Sequence, residues 1–346
     1  MARIPFPITL VTLVLILGLI LVFSLGLGPV RISPYRVMGA LLSRIPGMEE
    51  MFGVESSIKT IVWDFRLARA LLATLTGAAL AVSGVAFQGL FRNPLAEPFV
   101  IGASSGAALG ATVAIVLRLS LSFGGFRPVP LAAFTGAMIA VGMVYIISQT
   151  GSGTPPAVAL LLAGTALSSL FSAAVSLIMA LSDRDLHQIF FWILGSLGGK
   201  SWPQLWAMLP YVLTSFILMG IITRPLDIMS FGEEAAQGMG LSVRNARFII
   251  VVSASLATSA AVASTGIIGF VGLLAPHTAR LIIGPVHRRL MPTAALLGAI
   301  LLVAADNLAR TVLAPMELPV GVLTAILGAP FFLYLLRSRQ SVLGGE

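Results

Sequence analysis

Cysteine is absent from all 346 residues, and charge is scarce: Asp, Glu, Lys and Arg together make up 10% of the chain. The first absence excludes a disulfide framework and every thiolate-based metal or nucleophile site. The second excludes an ordinary soluble domain, in which about a quarter of the residues are charged. Histidine is nearly missing too. His187, His277 and His287 stand far apart without ligand-spaced partners, so neither a metal site nor a cofactor is expected. What remains is apolar, 58% hydrophobic with a mean hydropathy of +1.02. Such a chain needs hydrocarbon around most of its length, and it reads as an all-α polytopic membrane protein, one transmembrane domain over residues 1–346. The net charge of +8 would suggest nucleic acid in a soluble chain. Here the basic residues lie scattered between apolar runs, so no nucleic-acid role is expected.

Residues 8–27 form an apolar stretch of spanning length with no small-residue cleavage site behind it, which predicts an uncleaved first helix. Ser33-Pro34 then fits the start of a short amphipathic helix lying on the membrane surface, with Val37, Leu41 and Leu42 on one face. A second span is expected from about Trp63, where Gly77, Ala81 and Gly84 would let neighbouring helices approach closely. Further spans are predicted at about 97–117, 129–148 and up to 181. The aromatic segment 189–197 is too short to cross. Spans after Trp202 and after Arg247, then 266–283, 293–313 and 320–336, bring the expectation to ten, with both termini on one side. Lys and Arg divide almost evenly between the two faces, so their bias decides little; the compact pairs Arg244/Arg247, Arg288/Arg289 and Arg337/Arg339 place the side carrying residues 224–244 in the cytoplasm.

Residues 230–241, SFGEEAAQGMGL, lie between two apolar runs and are too short and polar to cross a bilayer. Ser230 followed three residues later by Glu233 is a capping-box pattern, Glu233 and Glu234 suit the positive end of a helix dipole, and Gly238 and Gly240 offer left-handed stopping points. An ordinary capped loop helix would read the same way.

Together with RNPLAEP (92–98), GIIGFVGLLAPHTAR (266–280), AADNLAR (304–310), LPVG (318–321) and LGAPFF (327–332), this stretch resembles the FecCD/BtuC-type permease family of type II ABC importers, which take up iron chelates, haem and cobalamin. The resemblance covers residues 63–337. It implies about ten helices per subunit, with short interfacial, re-entrant and coupling helices. It also implies a second permease subunit making a homodimer, two ATP-binding subunits on the cytoplasmic side, and a periplasmic or lipid-anchored substrate-binding protein. The location implied is a bacterial or archaeal cytoplasmic membrane. Catalysis would belong to the ATPase, not to this chain. By the same resemblance Ser230, Gly232, Glu233, Glu234, Ala235, Ala236, Gly238, Gly240 and Leu241 would couple to the ATPase. Ser152, Gly153, Thr154 and Pro155 would form a cytoplasmic gate, and Arg66, Arg69 and Arg310 would dock acidic residues of the binding protein. For the arginines, snorkelling to lipid headgroups is the plain alternative. Iron(III)-siderophore is the first substrate expectation, with cobalamin or haem as alternatives.

Pro94, Pro98, Pro276, Pro319 and Pro330 each lack an N–H and are expected to interrupt helices, either lining a moving core or simply kinking for packing. Thr165, Ser169, Ser172 and Ser176 recur at helical spacing, so their hydroxyls form a stripe that either lines the conduit or bonds back to its own helix. Two motifs are decoys. GSLGGKS (195–201) misses the first glycine of a phosphate loop because Leu194 stands there, and no strand precedes it. Gly102 to Gly106 spell G-x-S-x-G, but a nucleophile elbow needs a strand-turn-helix. The rival class, an ion-coupled secondary transporter, usually needs carboxylates at mid-membrane, whereas Asp64, Glu97 and Asp306 are expected near helix ends.

Overall fold

The computed structural model describes residues 5–28, 30–46, 53–119, 128–149 and 156–343, and among them every regular element is helical. In chain order these are α1 Phe6–Gly26, α2 Pro34–Leu42, α3 Ser56–Leu90, α4 Ala103–Val116, α5 Pro128–Ser148, α6 Pro156–Leu181 and α7 Leu186–Ile193. They continue with α8 Trp202–Ile221, α9 Thr223–Met229, α10 Glu233–Gly238, α11 Val243–Thr265, α12 Val271–Ile283, α13 His287–Thr311 and α14 Val320–Leu343. Seven of them (α1, α3, α5, α6, α8, α11 and α13) are long and apolar enough to cross a membrane. The other three expected spans exist as the shorter apolar helices α4 and α12 and the short apolar stretch Val320–Leu333 of α14.

The shortness of α4 and α12 has a local cause. Pro94 and Pro98 keep residues 91–102 out of helical geometry, so α4 starts at Ala103 rather than near Glu97. Left-handed backbone at Gly266 (φ 76°) and Phe270 (φ 66°) likewise delays α12 to Val271. Broken helices free backbone groups, which must find partners inside the protein. Glu97 supplies one by accepting the Phe270 N–H at 3.2 Å, tying the two irregular stretches together. Of the five prolines expected to break helices, Pro276 and Pro330 do lie inside α12 and α14. Pro94 and Pro98 sit in the linker and Pro319 just precedes α14. Pro210 and Pro292 also lie inside helices, in α8 and α13.

Other boundaries move outward. The second span begins at Ser56 and includes a π-helical segment, Ile61–Leu67, while the ninth begins at His287. Beside the start of α3, α2 packs through its buried Val37 and Ala40, and Trp63 donates its indole N–H to the Ala40 carbonyl at 2.7 Å.

α3 and α11 are the most enclosed of the long helices. α3 touches α12 and α13 where glycine faces glycine: a Cβ on Gly84 would lie 1.8 Å from the Gly272 carbonyl oxygen, and one on Gly77 would lie 2.2 Å from that of Gly298. The expected role of Gly77 and Gly84 is therefore met by backbone-to-backbone contact, which only glycine permits. Gly106 meets Gly136 in the same way between α4 and α5. On its other side α3 bonds to α11 through the Ser83 hydroxyl, which donates to the Ala254 carbonyl at 3.0 Å.

Candidate functional sites at the two ends of the bundle

α3 runs from an arginine cluster at its start to the neighbourhood of a small polar helix at its end. Arg69 and Gln88 are nineteen residues apart on this helix, so the two places are separated by about 28 Å at 1.5 Å per residue.

At the far end, α10 carries the residues singled out in 230–241, but it starts differently from expectation. Gly232, with φ 110°, occupies the N-cap and no side chain caps it. Ser230 instead ends α9 and donates its hydroxyl to the Asp227 carbonyl at 2.6 Å. The capping box does not form because Glu233 is taken by a stronger partner, the largely buried Arg247 of α11, at 2.6 Å. A charge-assisted bond of that kind outweighs a neutral cap. The exit matches expectation in part. Gly240 is left-handed (φ 82°), the Leu241 N–H reaches the Ala236 carbonyl, and the Gly240 N–H reaches that of Gln237, which is a Schellman stop. Gly238 remains helical. Ala236 is buried, while Glu234 and Ala235 face outward beside two large apolar side chains, Phe231 at 76% and Met239 at 57% exposure. Expectations from the sequence leave out the exposed Phe231 and Met239 as a pair, mark Arg247 only as a charge on the cytoplasmic side and not as the partner of Glu233, and do not foretell a further clasp, Asp227 to His287. In that clasp Asp227 accepts the His287 backbone N–H at 3.0 Å and lies 2.5 Å from its ring Nδ1, fastening α9 to the start of α13. The signal that could have found the apolar pair was two large hydrophobic residues inside an otherwise polar loop.

At the near end the three arginines expected on the outside come together, but inside the protein: Arg66, Arg69 and Arg310 are only 7%, 9% and 3% exposed. Arg69 forks onto Asp306 at 2.8–3.1 Å and onto Glu317 at 2.8 Å. Arg310 lies 3.2 Å from Asp306 as an ion pair not aligned as a hydrogen bond, and it donates to Ser24 and Asn307. Arg66 has carbonyl partners instead, Leu25 at 2.7 Å and Val30. Burial at this depth is tolerable because opposite charges and carbonyls surround the guanidinium groups. Three arginines against two carboxylates leave one positive charge in excess, and the cluster floors an open hollow of about 300 Å³ that Lys200 also lines. Asp306, 1% exposed and held by two arginines, is the deepest carboxylate of the cluster.

The remaining expectations divide. Thr165, Ser169, Ser172 and Ser176 all lie on the outward face of α6, and two of them bond back to their own helix: Thr165 to the Leu162 carbonyl at 2.9 Å and Ser169 to that of Thr165 at 3.0 Å. Ser152, Gly153, Thr154 and Pro155 lie outside the described residues. Residues 195–201 form a backbone clasp rather than a phosphate cradle, since the Ser196 N–H meets the Thr265 carbonyl at 2.8 Å and Gly195 is wedged against Ile267. In the G-x-S-x-G run, left-handed Gly102 (φ 85°) starts α4 and Gly106 packs against α5, so its glycines serve helix geometry.

Residues 14–338 match the FecCD transport family. The chain is 44% identical over 84% of its length to the cobalamin import system permease protein BtuC of Halobacterium salinarum, covering 76% of that protein. It is 38% identical to the Fe(3+)-citrate import system permease protein YfmE of Bacillus subtilis, over 95% of both chains. A solved metal-chelate type ABC transporter in an inward-facing conformation superposes with a TM-score of 0.82 at 32% identity, over 96% of this chain and 99% of the other. With its helical bundle, its outward-facing polar helix and its buried arginine cluster, the chain belongs to the FecCD transport family and is a multi-pass permease of the ABC importers.

Proposed function

We propose that this permease passes a metal chelate through a homodimer of identical chains. Two ATPase subunits drive it by pushing on α10, and a binding protein delivers the chelate at the arginine cluster. The observation that carries this reading is the placement of an outward-facing polar helix and a positively charged hollow at opposite ends of one continuous helix, α3, about 28 Å apart. α10 is clamped to α11 by Glu233–Arg247, and the preceding α9 is clamped to α13 by Asp227–His287, so force applied to it is transmitted to two long helices. Phe231, Glu234, Ala235 and Met239 then offer a small apolar and acidic face to the ATPase. This end is cytoplasmic, as are both termini, in a bacterial or archaeal cytoplasmic membrane. Residues 152–155 act as the gate and the α6 hydroxyl stripe lines the conduit. Uncharged hydroxyls hold a bulky chelate only weakly, as passage requires.

Iron(III)-siderophore is the proposed cargo. Cobalamin is the second reading, favoured by the 44% identical permease named for it. The cargo retained by the cognate binding protein decides between them. An ion-coupled mechanism fits poorly, because Asp306 is committed to two arginines and is not free to take up and release a coupling ion.

In proteoliposomes holding the assembled importer, Arg247→Ala is expected to lower ATP-driven uptake at least about tenfold, since an unpaired Glu233 no longer holds α10 in register. The swap Glu233→Arg with Arg247→Glu should restore part of it. Uptake driven by an ion gradient without ATPase would overturn the reading. At the other end, Arg66 carries the charge with no carboxylate partner among the described residues. Arg66→Gln is expected to weaken binding-protein association by roughly tenfold, the size of one lost charge-assisted contact. Unchanged affinity by surface plasmon resonance would remove this hollow from the docking surface.

A further inference from the structure

Between α8, α9, α13 and α3 lies a groove of about 480 Å³ that neither end site uses. Its walls are Val82, Phe216, Met219, Met291, Pro292 and Ala295. At one end stand Arg224 and Arg288, both exposed and without a carboxylate partner among the described residues. No acidic side chain lines it. Its position decides what can fill it. Arg224 follows the last residue of α8 by three and Arg288 is the second residue of α13, so both lie where spanning helices leave the hydrocarbon. Ala295 lies seven residues further along α13, about 10 Å deeper. The groove thus has a doubly cationic mouth at headgroup depth and an apolar trough descending along two helices.

We propose that this groove is a binding site for an anionic phospholipid of the leaflet on the α10 side, with its phosphate between Arg224 and Arg288 and an acyl chain along Phe216, Met219, Met291 and Ala295. Each arginine near a membrane surface favours anionic lipid, and a planar guanidinium pairs well with phosphate. A zwitterionic phospholipid would fill the trough and offer a phosphate, but its own headgroup cation cancels that charge and leaves the two arginines without net compensation. The site adjoins Thr223, the first residue of α9, so its occupant steadies the segment that leads into α10.

The test is native mass spectrometry of the full-length chain in detergent, titrated with phosphatidylglycerol or with phosphatidylcholine of the same acyl chains. The wild type is expected to retain phosphatidylglycerol with a preference of at least about tenfold. Arg224→Gln with Arg288→Gln should erase the preference, Arg289→Gln, next in sequence but outside the groove, should keep it, and Ala295→Trp should weaken retention of both lipids by filling the trough. Monodisperse elution establishes that each variant is folded. A preference that survives in the folded double variant overturns the proposal, as does its equal loss in Arg289→Gln. Displacement of the bound lipid by millimolar inorganic phosphate alone would also overturn it, because the trough would then contribute nothing.

Discussion

Gly84→Ala is expected to abolish recovery of folded protein, while Gly142→Ala leaves recovery unchanged or slightly improved. The methyl group added at Gly84 would lie 1.8 Å from the Gly272 carbonyl oxygen, and both sides of the clash are backbone, so no rotamer change relieves it. Nor can α12 simply retreat. Gly272 is itself pinned, with Pro98 and the Leu80 carbonyl within 3 Å of where its own Cβ would be. Moving it would pull on the linker 91–102 and on the Glu97–Phe270 bond that satisfies it. Overpacking in a rigid core costs 1–3 kcal/mol, and a backbone clash on this scale should exceed about 3 kcal/mol. Gly142, in contrast, has nothing within 4 Å of an added Cβ. There alanine only gains helix propensity, about 1 kcal/mol. Size-exclusion profiles and thermal unfolding of the two variants in mild detergent check this. A Gly84→Ala protein melting within a few degrees of wild type would show that the α3–α12 crossing is not as tight as described.

Asp306→Ala is expected to have the second largest effect. It removes the carboxylate shared by Arg69 and Arg310, leaving Glu317 alone against three guanidinium groups in a site where each is less than a tenth exposed. Breaking a buried pair from one side costs about 3–5 kcal/mol, because the orphaned charge stays desolvated. The variant should accumulate poorly and melt early. The argument is about charge and not shape, so Asp306→Ala combined with Arg310→Met should recover part of the loss by removing one orphan. If the double variant melts no higher than Asp306→Ala, the network is held by packing instead. The same reasoning warns against reversing all three arginines at once to probe docking, since the added acids would face Asp306 and Glu317 and the fold would fail before any partner was met. Arg66, bonded to carbonyls rather than carboxylates, is the member to change.

Hydropathy alone located the ten apolar segments, because a spanning helix is a local property: about 20 apolar residues suffice to specify it. Boundaries were legible only where the breaker was local. Pro34 opens α2 and Gly240 closes α10 as their chemistry predicts. The start of α12 is not written locally, because left-handed backbone at Phe270, a bulky residue, is stabilised by Glu97, 173 positions away. Ser230 and Glu233 likewise carry a correct capping pattern that a partner fourteen residues along the chain overrides.

The split follows from the range of the forces. Composition, helix spacing and the small-residue pattern of Gly77 and Gly84 are written in neighbouring residues, and they determined that this chain is a helical membrane bundle with close crossings. Which charge meets which is decided across 237 positions, as with Arg69 and Asp306. Only the packed bundle sets those pairings, because in hydrocarbon a charge is stable solely where folding has brought its partner. Tertiary structure therefore turned three arginines expected at the surface into the floor of a hollow, and a capped loop helix into one clamped to a spanning helix.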